Sequence, residues 1–409
     1  MARKMDVLPE GVRITDHISL GVIAKTFPKE KVEAALNECG KASKRQRDLP
    51  AQVVVYYVIA LSLYMNVAYR EVLRCLLEGA KWMMGPDARI KVSGKSGISQ
   101  ARERLGSDVM EKLHDNVVGP IAVRGKGRTT RGAWYRRWRL VSVDGSTLDV
   151  ADEKGNAKAF GKPSGQGGEA AYPQIRFVSL VENGTHVLFG SRMGGYHTGE
   201  TVLAKETLGF LREGMLCLAD RGFYSFKLWR HAHSTKAELL WRMKKNIKLP
   251  CEKRFRDGSF LSRIYDSQDT KRSGESEVVR VIEYTLEGVP DAEPVYRLIT
   301  TILDPAQAPA KELAALYPDR WEIESAFDEF KTHLRGNKII LRSKRPDLVR
   351  QEFYGFMMSH YAIRGIMHEA ALKADEDPDR LSFVHAVRVI RRKMAAAATI
   401  SPQRTRGVS

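Results

Sequence analysis

Cysteine is scarce in this chain of 409 residues. There are four, Cys39, Cys75, Cys217 and Cys251, and no two form a Cys-x-x-Cys pair. That excludes a zinc ribbon and a redox dithiol, and it suits a reducing cytoplasm. Long apolar runs are lacking too. The longest, residues 53–65, falls short of the roughly 18–20 residues that a membrane span needs and reads as a buried core helix, so no membrane partner is expected. The opening Met1-Ala2-Arg3-Lys4-Met5-Asp6 has no apolar stretch behind its cations and does not read as a signal peptide. Acidic residues are the third shortage. Against 49 Asp+Glu stand 67 Lys+Arg, a net charge of +18 with a pI of about 9.7. A soluble chain this basic is expected against a polyanion, most often nucleic acid. With 43% hydrophobic and 28% charged residues, wholesale disorder and a collagen-like fibre are excluded. The length suggests two to four domains at roughly 100–200 residues each.

Residues 1–120 read as a helical N-terminal, DNA-binding region. Helices are expected over 28–39 (apolar Val32, Ala35 and Leu36, with Gly40 as a stop), 53–65, 69–77, 98–105 and 109–118, the last capped by Ser107. Short helices with tight turns fit a helix-turn-helix module and any small bundle alike. Residues 121–138 read as a basic linker. Between 121 and 143 lie Arg124, Lys126, Arg128, Arg131, Arg136, Arg137 and Arg139, no acidic residue, and interleaved Trp134, Tyr135 and Trp138. Charge repulsion argues for an anionic partner, and aromatics can pack on sugars or bases. A solvated linker with its tryptophans in the core is the plainer alternative. The total charge favours DNA contact through Arg128, Arg131, Arg136 and Arg137.

At Arg139 the period switches to two. Leu140, Val141 and Val143 lead to Asp144-Gly145 as a strand. A glycine-rich loop follows (Gly155, Gly161, Gly165, Gly167, Gly168); it is not a phosphate-binding Walker loop, because Lys162 precedes Pro163 rather than Ser or Thr. Strands over 175–181 and 186–193 about Asn183-Gly184 make a hairpin. A helix over 198–211, a strand over 215–219 ending at Asp220, a helix over 223–231 and a strand over 239–243 complete the pattern. The class is therefore α/β, a mixed sheet with flanking helices, whose first part spans 139–244. A β-rich insertion over 245–304 follows, with turns at Asp257-Gly258 and Glu287-Gly288. Helix returns from about 308 to 371, giving a second core part over 305–372. A tail over 373–409 starts acidic and ends basic with Arg404 and Arg406.

Three carboxylates stand out by position. Asp144 ends the first strand, Asp220 ends the fourth, and Glu324 lies on a late helix; strand ends on one edge of an α/β sheet are where such folds place their sites. Oxygen ligands suit Mg²⁺ or Mn²⁺, and two such ions can activate a nucleophile and stabilise a leaving oxygen at phosphorus. Asp149 is the nearest rival to Asp144, though it faces away on an extended strand. A sharper signal is Tyr317-Pro318-Asp319-Arg320-Trp321 running on to Glu324 and Lys331. At about 100° per residue of helix, Arg320, Glu324 and Lys331 fall roughly 60°, 20° and 40° from Tyr317 on one side, a single stripe. An exposed ion-pair lattice, in which Asp328 joins, is the plainer explanation. His197 reads as a capping or packing residue and Cys217 as core.

The Tyr-x2-Arg-x3-Glu-x6-Lys spacing, together with Val143-Asp144-Gly145 and Leu218-Ala219-Asp220-Arg221-Gly222-Phe223, resembles the insertion-sequence-four family of DDE transposases. The resemblance covers nearly the whole chain. It implies a ribonuclease H-like core, with Asp144, Asp220 and Glu324 as the triad holding two Mg²⁺ or Mn²⁺ ions. Tyr317, Arg320 and Lys331 then contact DNA, and Trp321 packs near the transposon end. It implies a transposase that binds the terminal inverted repeats of its element, cleaves there and joins the ends to target DNA, with double-stranded DNA as partner, a homodimer in the synaptic complex and a bacterial cytoplasmic, nucleoid-associated location. A structure-selective nuclease and an inactive DNA-binding derivative are the rivals. One departure stands out: hairpin-forming relatives hold a flipped base with a tryptophan inside the insertion, whereas here Trp241 precedes it and Phe260, Tyr284 or Tyr296 is left as the substitute.

Overall fold

The computed structural model describes residues 20–43, 49–64, 68–74, 76, 95–125, 128–165, 168–286, 293–334 and 340–396. Lys126, Gly167, the Glu287-Gly288 turn and the basic end with Arg404 and Arg406 lie outside them. The chain forms two compact units. One combines the described residues up to Val118 with Phe330–Met367 and those from Leu381 on. The other holds Gly119–Glu329 and His368–Arg380.

The first unit is helical. Lys29–Glu38 buries Val32, Ala35 and Leu36, the three residues at helical spacing. Ala51–Leu63 buries every residue from Val53 to Leu63, as a helix apolar on all sides must. Gly355, on the long helix Pro346–Ala374, permits a close approach there: a Cβ would sit 2.8 Å from the Val58 carbonyl oxygen. Ser107 does precede the helix Asp108–Val117, but its hydroxyl makes no capping bond; it donates to the carboxylates of Asp108 and Asp347 instead.

The second unit is built on a mixed sheet that has ten strands among the described residues. Nine are β1 (Trp138–Asp149), β2 (Gln174–Glu182), β3 (Val187–Gly195), β4 (Met215–Ala219), β5 (Glu238–Arg242), β6 (Lys253–Arg254), β7 (Phe260–Tyr265), β8 (Ser276–Tyr284) and β9 (Tyr296–Thr300). Their order is β6-β7-β8-β9-β5-β4-β1-β2-β3, and the short strand Trp134–Tyr135 pairs with the start of β1. β1, β2 and β3 form an antiparallel meander, β4 is parallel to β1, and β5 is parallel to β4. The five strands β3-β2-β1-β4-β5 have the ribonuclease H-like arrangement. The β-rich strands after residue 245 do not stand apart: β9 pairs antiparallel with β5 and carries the same sheet onward.

Two local readings of the sequence change. Part of the glycine-rich stretch is helical, over Lys154–Phe160, with Gly155 inside it. The hairpin between β2 and β3 turns through four residues, 183–186, since Glu182 pairs with Val187. Gly184 carries φ +74°, and a Cβ there would meet the backbone of Arg131 and Ala133. Only glycine meets both demands.

Candidate active site

The site begins with register. β1 and β4 run parallel with Val143 opposite Ala219, so Asp144 and Asp220 follow side by side at adjacent strand positions. Leu140, Val141, Val143 and the whole of β4 are buried, and Asp144 and Asp220 are the first residues past this paired stretch; β1 does not end at Asp144, as the sequence suggested, but runs on to Asp149 in pairing with β2. Asp144 accepts a hydrogen bond from its neighbour Gly145 N–H at 2.8 Å, and Asp220 accepts one from Gly222 N–H. Burial pushes the Asp144 carboxyl up to about 6; the Gly145 amide and Arg320 pull it back, while Asp220 and Glu200 push it further up.

Tyr317 and Arg320 reach these two strand positions. The Tyr317 hydroxyl donates to the carbonyl oxygen of Ala219, the residue before Asp220, at 3.2 Å. Arg320 Nη1 lies 3.5 Å from Asp144 Oδ2, and its guanidinium stacks 4.4 Å above the Trp321 ring. Both residues are buried, whereas Trp321 is 55% exposed. Arg320 Nε is buried without a hydrogen-bond partner.

The single exposed stripe expected from helical spacing is not present. Tyr317–Trp321 is a 3-10 turn, Glu322–Asp328 an α-helix and Glu329–Leu334 a π-helix. Since 3-10 and π turns advance by different angles per residue than α, the alignment dissolves. Tyr317 and Arg320 point into the protein. Glu324 is exposed on the helix whose Ile323, Ala326 and Phe327 are buried, with Phe327 edge-on to Phe177 of β2 at 5.3 Å. Lys331 is half-buried and belongs to the helical unit. Asp149 is engaged elsewhere, accepting from Gln174 Nε2 at 2.7 Å.

Glu200 was missed by sequence reasoning. It opens the helix Glu200–Leu208, and a Cβ on Gly145 would lie 3.0 Å from its Oε1. The available signal was an acidic residue at a helix start just after the His197 turn. His197 itself packs against Tyr196 and over Gly161. Cys217 is fully buried, and burial pushes its thiol up to about 12.

The basic stretch is more structured than a linker. It contains strands Arg124–Gly125, Arg128–Thr129 and Trp134–Tyr135, and Trp138 is buried in the core beside Tyr135. Arg136 makes a forked contact with the Glu312 carboxylate at 2.9 and 3.1 Å. Arg137 donates to Gln307 Oε1, and Arg131 to the Asp375 carbonyl oxygen. Arg128 is exposed. In the later strands Trp241 is fully buried against Trp229, Phe260 is buried, and Tyr284 stacks on Tyr296 with both half-exposed. None of these aromatics lines the groove of about 730 Å³ between Lys227, Lys244, Arg263 and Arg272, which also holds Asp266 and Asp269.

The donor set at Asp144 and Asp220 is all oxygen. Asp220 and Glu200 add negative charge near Asp144, and carboxylate oxygens are the donors that a hard divalent cation takes. Among the described residues no helix is long and apolar enough to cross a membrane.

Comparison with known proteins agrees along the chain. The family described as insertion element 4 transposase N-terminal matches residues 17–115, and the transposase DDE domain matches residues 137–361. The chain is 26% identical over 387 residues to the transposase InsG for insertion sequence element IS4 of Escherichia coli (strain K12), covering 92% of this chain and 83% of that protein. A solved piggyBac transposase synaptic complex with hairpin DNA superposes with a TM-score of 0.48 at 12% identity, over 97% of this chain and 88% of that one.

Proposed function

The chain belongs to the transposase DDE domain family, enzymes that cleave DNA, transfer strands and use divalent metal, and from that premise we propose that Asp144, Asp220 and Glu324 are its catalytic carboxylates. The observation that carries this is the Val143–Ala219 register, which supports a shared ion between Asp144 and Asp220. Glu324, on a helix that packs on β1 and β2, is the third ligand. The ions are two Mg²⁺ or Mn²⁺; bound, they supply positive charge to the attacking and leaving oxygens of a phosphodiester.

The substrate is double-stranded DNA, first the terminal inverted repeats of the element and then the target. Hydrolysis at the element end breaks the bond between phosphorus and the 3′-oxygen and leaves a 3′-hydroxyl. That hydroxyl then attacks a target phosphodiester, whose own 3′-oxygen departs. The chain's residues position these steps. Tyr317 holds the Ala219 carbonyl and so the strand end that presents Asp220. Arg320 and Lys331 contact phosphates, and the exposed Trp321 packs against the end. The helical region over 1–120 and the exposed Arg128 contribute further DNA contacts. The protein acts as a homodimer in the synaptic complex, in the cytoplasm at the nucleoid.

The test uses an end-containing duplex, a target duplex and Mg²⁺. Wild type should yield strand-transfer products, and Asp144→Asn, Asp220→Asn and Glu324→Gln should each abolish cleavage with end binding largely kept, because phosphate contacts hold the complex. Nicks without joining would indicate a nuclease. Normal cleavage by one variant would remove that residue from the triad.

A further inference from the structure

A second cluster of metal-binding side chains lies in the same unit, apart from the strand-end carboxylates. His186 sits at the hairpin tip between β2 and β3, Glu322 opens the helix Glu322–Asp328, and Asp379 lies in the turn Pro378–Arg380. One ligand atom from each falls within 4.8 Å of the other two. His186 Nε2 is 3.0 Å from Asp379 Oδ1 and 3.9 Å from Glu322 Oε2. Two ligands about 2.1 Å from a common ion stand roughly 3.0–3.4 Å apart in octahedral or tetrahedral geometry, so these separations bracket what an ion requires.

We propose that His186, Glu322 and Asp379 bind one first-row transition-metal ion of the Zn²⁺ or Mn²⁺ kind. The donor set decides the class: an imidazole with two carboxylates suits zinc, manganese, iron or cobalt, whereas Mg²⁺ and Ca²⁺ favour oxygen alone. Glu329 supplies the supporting contact, its Oε1 lying 3.2 Å from His186 Nδ1. A carboxylate on that nitrogen holds the imidazole in the tautomer whose Nε2 lone pair faces the metal. Asp319 and Asp377 stand near Glu322 and add to the negative field. The imidazole is 8% exposed and the Asp379 side chain 35%, which leaves an approach from the Asp379 side.

This site is distinct from the triad. The tip is anchored by Asn183 N–H donating to the Leu140 carbonyl oxygen, and Leu140 precedes Asp144 by four strand residues, roughly 13 Å. An ion here would join three segments remote in sequence and tie the start of the Glu324 helix to the sheet. Its role is to hold that helix in place.

The experiment uses the full chain carrying Asp144→Asn, Asp220→Asn and Glu324→Gln, so that the strand-end carboxylates no longer compete. Co²⁺ alone is titrated by calorimetry and visible absorption. One equivalent should bind and give ligand-field bands, and excess Mg²⁺ should not displace it. His186→Ala and Asp379→Asn should each weaken binding at least ten-fold, and Zn²⁺ should raise the melting temperature of the parent but of neither variant. If His186→Ala does not fold, Asp379→Asn, whose side chain is partly exposed, decides alone. Absence of saturable binding, or binding unchanged in the folded variants, would overturn the site and leave His186 as an ion-pair partner of the three carboxylates.

Discussion

Arg320 lies beside Asp144, its guanidinium 3.5 Å from the carboxylate and 4.4 Å above the Trp321 ring. A buried cation of the helical segment and a half-buried acid of the sheet are thereby coupled. The contact has consequences for stability, for pH dependence and for metal use.

Removing Arg320 should cost stability. An exposed helix pair would contribute only about 0.3–0.5 kcal/mol. Arg320 is 5% exposed, and Arg320→Ala leaves the Asp144 carboxylate without its cation in a half-buried site, so a loss of about 1–3 kcal/mol is expected from denaturant unfolding at pH 7.5. Lysine should restore little of it, since an ammonium cannot stack flat on Trp321. Unchanged unfolding of Arg320→Ala would refute the coupling.

Asp144 should make the apo protein more stable when neutralised. Its carboxyl stands near 6 in the fold, above the ordinary value of about 3.9. A raised acid binds its proton more tightly in the folded state, so folding is favoured below the ordinary value and that advantage is lost as pH rises through about 6. Asp144→Asn should therefore gain on the order of 1–3 kcal/mol at pH 8 without metal, and little at pH 4, while cleavage is lost. Equal unfolding at both pH values would contradict this.

Cleavage by the wild type should fall as pH drops through about 6, because a protonated Asp144 cannot hold a cation. Raising Mg²⁺ should move that limb to lower pH. In Arg320→Ala the limb should move to higher pH, since the guanidinium holds the carboxyl down. A limb indifferent to Mg²⁺ would assign it to another group.

Glu200→Gln should weaken metal use without destroying the fold. Glu200 is exposed and faces Gly145, so its loss leaves the core intact while thinning the charge at Asp144. A 10–100-fold higher Mg²⁺ requirement is expected in cleavage titrations, the usual effect of removing a supporting carboxylate. An unaltered requirement would show Glu200 to be a bystander.

The arginines at 128–137 should separate. Arg128→Ala should flatten the slope of log K against log salt by up to ~0.9 for each phosphate that the arginine neutralises. Arg136→Ala instead breaks contacts with Glu312 and should lower the melting temperature more than the slope. Identical behaviour of the two would argue against that division.

Much of this protein was determined locally. The apolar run at 53–65, the alternation leading to Asp144 and the strand ending before Asp220 each express a short-range rule: a helix repeats every 3.6 residues and a strand every two. Those rules located the apolar segments that lead to Asp144 and Asp220, though not that β1 continues to Asp149, and the motif resemblance pointed to the family. They could not say which strands would lie side by side. The parallel pairing of β1 with β4 brings Asp144 to Asp220 across 76 residues, and the antiparallel pairing of β5 with β9 turns the later strands into a continuation of the same sheet. Nor could helical spacing reveal that the Tyr317 turn is 3-10, because turn type here follows from packing: Tyr317 and Arg320 reach Ala219 and Asp144, and the backbone tightens to bring them there. The closeness of Glu200 to Asp144 and of His186, Glu322 and Asp379 to one another could not be read for the same reason. These residues are joined by no sequence period, and only the folded chain, burying its apolar faces, brings such polar groups within reach of one another.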